Sequence, residues 1–232
     1  MDAVERIEVA MRVDIGHRLG KKHPLAHKTP NLLDGKFTRD IDRLTGETAY
    51  SEWSKKMNET VRKKAKEEFV KHHKNKYGGE MPIWVITELW EFGLLSKFFA
   101  GMQYSDQLYI AKRYGLPEGR LLATWLRSIN FVRNVSAHHG RLWNRSITDS
   151  PSFPKVQAQH PLHHVARDQR VQTRVYSVLC VLQTMLKIVS PGDEWKNKLI
   201  SACSTFPQSP IISLGDAGFP DNWGQKTLWQ QA

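Results

Sequence analysis

The chain has 232 residues, with 34 Lys or Arg against 23 Asp or Glu, a formal net charge of +11, an isoelectric point near 9.7 and two cysteines. That length supplies a sizeable core without covalent staples, and Cys180 and Cys203 alone exclude a disulfide-rich secreted scaffold or a cysteine-rich zinc module. The opening MDAVERIEVAMR carries acids early and has no signal-peptide apolar core, and no window approaches the roughly 20 apolar residues of a spanning helix, so a soluble cytoplasmic protein with no membrane partner is expected.

Helical patterns fill the chain. Val4, Ile7, Met11 and Ile15 form one stripe over Val4 to Leu19, and Gly20 ends the run. Lys21 to Thr48, with Pro24, Pro30 and Gly35, reads as a long loop containing a short helix. Ser51 to Tyr77 reads as one basic helix closed by Gly78-Gly79. Within it, Ser54 to Tyr77 carries nine Lys or Arg against Glu59, Glu67 and Glu68. Its apolar positions Met57, Val61, Ala65, Phe69 and Val70 recur at three and four, so a surface helix with a solvated exterior explains the spacing as well as a polyanion-binding face does. Pro82 opens IWVITELWEFGLLSKFF, apolar on all sides and therefore expected at the centre of the core. Ser105 to Tyr114 is a short helix and Gly115-Leu116-Pro117 a turn. Glu118 to His139 is a long helix ending at Gly140. Val165 to Val189 predicts another long helix, burying Val175, Val178, Leu179, Leu182, Met185, Leu186 and Val189. Asp193 to Ser204 adds one more, and the tail from Phe206 to Ala232 is irregular, packing by Phe219, Trp223 and Trp229. The expected class is all-α, a single domain over residues 1–232 with loop-rich insertions.

A positive surplus this large directs attention to a polyanion, because clustered Lys and Arg release counterions when they neutralise phosphates; an anionic membrane surface is the competing reading. The densest candidate is Asn130 to Arg145, NFVRNVSAHHGRLWNR, with three arginines, a His pair, a tryptophan and no acid. On a helix at about 100° per residue, Leu122, Trp125, Ile129, Val132 and Ser136 face the core, while Arg127, Asn130, Asn134 and His138 lie opposite. Asn134 and His138 are one turn apart and can meet. Arg133 and His138 stand about 140° apart, so one copy of the helix does not bring them together without a bend, a partner helix or a second chain.

Imidazole, guanidinium and amide suit metal-free RNA cleavage. A histidine moves the 2′-hydroxyl proton or protonates the leaving 5′-oxygen, and an arginine holds the phosphate. The stretch lacks the carboxylates of a magnesium nuclease. The His pairs at 72, 138 and 163 come without metal-ligand spacing, and no nucleotide-cofactor motif is present, so neither metal nor cofactor is expected. On spacing alone, the same residues equally describe a solvated helix end.

Arg-Asn-Val-Ser-Ala-His at 133–138 matches the R-x4-H signature of HEPN ribonucleases. PIWVITELWEFGLLSKFFAGM, LRSINFVRNVSAHHGRLWNR, GFPDNW and the opening RIEVAMR resemble the Abi-like (AbiD/AbiF) family of bacterial abortive-infection proteins, a likeness running to Trp229. The family generally has a further segment before the helix that starts here near Met1. The resemblance implies a HEPN-like helical bundle whose R-x4-H motifs face each other across a homodimer cleft, and RNA cleavage in phage defence. It implies Arg133 and His138 as the catalytic pair, with Asn134 beside them. His139, Arg141, Trp143, Asn144 and Arg145 then act in support, the arginines on phosphate and Trp143 by packing or base stacking. Arg127, Asn130, Lys63 and Lys66 are further candidates for RNA contact. Glu8 and Arg12 are a surface ion pair or a buttress for Arg133 or His138, and Glu88 and Glu91, if buried, need Arg127 or Arg133 as partner. The alternative function is a non-catalytic RNA-binding module of a defence or toxin–antitoxin system, holding a structured noncoding RNA. A third is a regulatory protein that binds another protein.

Overall fold

The computed structural model describes residues 1–207 and 209–230; of the irregular tail, residues 208, 231 and 232 lie outside the described residues. Helices carry the fold. Among the described residues, strand-like pairing is confined to two isolated bridges, Leu33 with Met102 and Ile41 with Thr48, so the class is all-α. No helix among them is long and apolar enough to cross a membrane. The chain divides into two compact units, one of Glu8–Lys112 with Glu118–Arg120, the other of Met1–Ile7 with Arg113–Pro117 and Leu121–Ala232.

Helix α1, Asp2–Gly20, has acids in its first turn and His17 and Arg18 in its last, the arrangement that complements the helix dipole. Its stripe of Val4, Ile7, Met11, Ile15 and Leu19 is buried throughout. In the first unit α2, Gly35–Arg39, is capped by Asp34, whose carboxylate accepts from the Lys36 amide. Helix α3, Ala49–Lys63, is capped by Thr48 in the same way. The continuous basic helix expected over Ser51–Tyr77 is instead two helices, because α4, Glu68–Tyr77, starts afresh after a break at Lys64–Glu67. Trp53 and Met57 anchor α3 and Val70 anchors α4, but Ala65, which the periodicity places inward, is exposed among Lys63, Lys64 and Lys66. Nothing there anchors a run of like charges as helix.

The apolar stretch after Pro82 is central, as expected, but it is not one helix. It comprises α5, Ile83–Ile86, a 3-10 turn at Thr87–Leu89, and α6, Phe92–Ala100, separated where Trp90 turns extended at ψ 124°. That turn drives the Trp90 ring into an aromatic cluster, 5.1 Å from Trp53 and 4.8 Å from Phe98, while Trp53 Nε1 donates to the Leu94 carbonyl at 3.0 Å. Burying the indole there outweighs the few helical hydrogen bonds lost. Helix α7, Tyr104–Arg113, brings in Asp106, fully buried and held by Arg18 Nε at 2.8 Å and Lys22 Nζ at 2.6 Å. Two cations on one carboxylate satisfy an acid that burial would otherwise penalise.

The second unit contains nearly all of α8, Gly119–Ala137, followed by α9, His163–Ala166, α10, Gln169–Gln172, α11, Val175–Val189, α12, Trp195–Ser204, and α13, Thr227–Gln230. The helix expected from Val165 to Val189 therefore begins ten residues late. Asp168 interrupts it by capping α10, its carboxylate accepting from the Arg170 and Val171 amides, and Arg174 is extended before α11. Helix α11 is buried nearly all round, with Tyr176, Cys180 and Val181 inside and Leu179 and Val189 only half-buried. Burial pushes the Cys180 thiol well above its usual range, as befits a packing residue. The tail packs on Tyr176 through Phe219 at 4.6 Å, Trp229 at 6.1 Å and Trp223 at 6.4 Å. Trp229 Nε1 donates to the Tyr176 hydroxyl at 2.9 Å, which is also hydrogen-bonded to His164 Nε2 at 2.9 Å.

Candidate functional site

Helix α8 sorts its side chains as the wheel predicts. Leu122, Trp125, Ile129 and Val132 are buried, and Arg127, Asn134 and His138 are exposed on the other side. Its C-terminus closes in a Schellman motif, with the Gly140 amide donating to the Val135 carbonyl at 2.7 Å and the His139 amide to Ser136 at 3.0 Å. The left-handed position of that motif belongs to His139, at φ 54°, and not to the glycine beside it. Gly140 is needed for a different reason: a Cβ there would sit 2.9 Å from Val135 Cγ1 and 3.1 Å from the Val135 carbonyl oxygen.

The turn folds the following loop back against the outer face of α8 and forms an open recess of about 370 Å³. Its polar lining is Asn130, Asn134, His138, Arg145 and Asp149, and its apolar wall is Phe131 and Val135. The Arg145 guanidinium lies over the Phe131 ring, 5.5 Å from its centroid. Among the described residues neither Arg145 nor Asp149 forms an ion pair, with each other or with any other group. Arg133 does not line the recess. It is half-buried, and its Nη1 donates to Asn134 Oδ1 at 3.2 Å. Asn134 thus touches Arg133 with its side-chain oxygen and the His138 recess with its body. Arg133 and His138 stay on different sides of the helix, as their spacing requires.

The remaining candidates fall outside the recess. Arg127, His139, Arg141 and Asn144 are exposed, and the Asn144 carbonyl accepts from Arg174 Nη1 at 2.7 Å. Trp143 is half-buried, donates Nε1 to the Ser213 carbonyl at 2.9 Å and packs toward Phe206, so most of its ring serves the fold. Lys63 and Lys66 are exposed at the α3–α4 break in the other unit. Glu8 and Arg12 are ion-paired, but not as a mere surface pair: their side chains are 15% and 18% exposed, and Arg12 Nη2 also donates to the Trp90 carbonyl at 2.9 Å. They fasten α1 to the Trp90 turn inside their own unit. Glu88 and Glu91 are exposed, so the basic partner expected for a buried acid is not required.

Sequence reasoning missed Phe131 and Asp149. Asp149 carried one signal, since no acid occurs between Glu118 and it. An acid that ends such a run and is returned by a loop to the same face is a candidate partner for the cations before it.

Set beside known families, residues 1–144 match the family model described as Abi-like protein. The chain belongs to the Abi-like family. The matched span includes Arg133 to His138 and ends at Asn144, so the likeness expected to continue through GFPDNW to Trp229 lies outside it, as do Arg145 and Asp149. Comparison with curated proteins and with solved structures gives no match. Membership associates this Abi-like chain with abortive infection, the sacrifice of an infected cell that halts a phage.

Proposed function

We propose that this Abi-like protein is a metal-independent HEPN-type endoribonuclease of the cytoplasm that acts in abortive infection, cutting RNA at a composite site formed by two copies of the chain. The observation that carries the reading is that His138 and Asn134 line one recess while Arg133, the other half of the R-x4-H spacing, is tied to the far side of Asn134. One copy presents an imidazole on one side of α8 and a guanidinium on the other. A second copy related by a two-fold axis supplies the complementary pair to the same phosphodiester. One imidazole takes the 2′-hydroxyl proton, the 2′-oxygen attacks phosphorus, and the bond to the 5′-oxygen breaks as a second imidazole returns a proton to it. The products are a 2′,3′-cyclic phosphate and a free 5′-hydroxyl. Arg133 stabilises the charge that builds on the phosphoryl oxygens, and Asn134 positions Arg133.

The test is cleavage of a single-stranded RNA in excess EDTA by the parent, Arg133→Ala and His138→Ala. The expected result is cyclic-phosphate product from the parent and a loss of at least about 100-fold in each variant. Both variants cutting as well as the parent would rule out the assignment. A second reading, a non-catalytic module that grips a structured RNA, is favoured by the exposed cations Lys63 and Lys66 at the α3–α4 break. It predicts steeply salt-dependent binding with no product.

A further inference from the structure

Proton transfer and phosphate binding leave Asp149 without a task. Arg145 and Asp149 line one recess of about 370 Å³, and neither is ion-paired with the other or with any other described residue. A site for phosphate alone gains nothing from a carboxylate, which repels the ligand. The two charges agree if the ligand carries an anion at one end and hydrogen-bond donors at the other, which is the pattern of a nucleotide. The volume is at the small end of ligand pockets, room for one nucleotide and not for a stacked run. Phe131 under Arg145 supplies an aromatic–guanidinium wall of the kind on which bases lie.

The carboxylate also selects among bases. An ionised Asp only accepts, so it favours an edge with two adjacent donors. Guanine has that edge, N1–H beside the N2 amino group. Adenine and cytosine offer one amino group next to an acceptor nitrogen, and uracil a single N–H between two carbonyls. The amides complete the match. Asn134 Oδ1 is taken by Arg133, which leaves its NH2 group as the free, donating end, and Asn130 lines the same recess. Guanine O6 and N7 are the acceptors that such donors meet.

We infer that the recess is a guanine pocket, in which Asp149 reads the N1–H/N2–H edge, the amides of Asn130 and Asn134 serve O6 and N7, and Arg145 holds the phosphate. Resting on the nuclease reading, the pocket places His138 at the linkage 3′ of a guanosine. The experiment is calorimetric titration of the full chain with each of the four nucleoside 3′-monophosphates. Guanosine 3′-monophosphate should bind at least about 10-fold more tightly than the other three, the discrimination expected of one bidentate pair. Asp149→Asn should abolish that preference, and Arg145→Ala should weaken all four nucleotides alike. The Asp149 contact to the Ser128 hydroxyl runs through its backbone carbonyl, so the substitution leaves it in place, and a matching circular dichroism spectrum verifies the fold. Equal affinity for all four nucleotides, no binding of any, or an unchanged preference in Asp149→Asn overturns the inference. His138→Ala separates the two readings. A guanine preference kept in that variant, with no RNA cut by the parent, upholds the pocket and removes the nuclease; RNA cleavage without the preference does the reverse.

Discussion

His27 is fully buried in the first unit, with its ring edge-on to Trp90 at 6.3 Å and its backbone carbonyl accepting from the Tyr50 hydroxyl. Desolvation pushes its pKa down from 6.5 to about 4, with Lys28 adding to the shift and Glu80 opposing it. A group with a depressed basic pKa takes up protons more readily when unfolded. Its stabilising contribution is complete above pH 6.5, falls as the pH drops toward 4, and is fully lost below that. The drop from 6.5 to about 4 corresponds to about 3 kcal/mol in full, of which about 2 kcal/mol is lost between pH 7.5 and pH 5. His164, its pKa also lowered to about 4 by burial, acts in the same direction in the other unit, so the His27 share must be isolated by difference. His27→Phe keeps a ring of similar size beside Trp90 and removes the proton site. Urea unfolding of parent and variant at pH 7.5 and pH 5 should give a pH-dependent loss smaller by about 2 kcal/mol in His27→Phe, followed by the fluorescence of the buried Trp53 and Trp90. The same loss in both chains would refute the reasoning.

Three further outcomes follow from the geometry. If the composite site uses the His138 imidazoles of both chains, one as base and one as acid, a mixed dimer of one parental and one His138→Ala chain should lose at least about 100-fold of the parental RNA cleavage; mixed dimers, verified by mass, that keep half the parental rate would refute the shared site. His139→Gly removes the penalty of a Cβ at a left-handed φ of 54° and should raise stability by about 1 kcal/mol in denaturant unfolding. Gly218 has φ 88°, and a Cβ there would lie 2.4 Å from Arg174 Cβ, so Gly218→Ala should destabilise the chain by about 2 kcal/mol or more and raise the fluorescence exposure of Trp223 and Trp229.

What periodicity reports is the face a helix would bury if it continued, and that limits what was legible. The α1 stripe from Val4 to Leu19 and the inner face of α8 were readable because one buried side and one wet side alternate without conflict. The breaks were not, because apolar residues run through them. Trp90 continues the pattern of its segment and yet is better accommodated off the helix axis, against Trp53 and Phe98, and Ala65 holds an inward position with too little side chain to anchor it. Both are choices made by packing at long range, which local spacing does not encode.

The candidate site divides along the same line. Asn130, Asn134 and His138 share a face by i, i+4 arithmetic, so their convergence was legible, as was the separation of Arg133 from His138. Asp149 and Arg145 reach that face only through the turn at His139-Gly140. There two neighbouring positions make different demands: the first needs a left-handed backbone, the second needs the absence of a Cβ against Val135. A single glycine serves only one of them. It stands at the second position, and the strained backbone falls on His139, next to the imidazole of the recess. Glycine at the first position as well would relieve that strain, so the hydrogen bonds donated by the His139 and Gly140 amides hold the turn against the backbone preference of histidine.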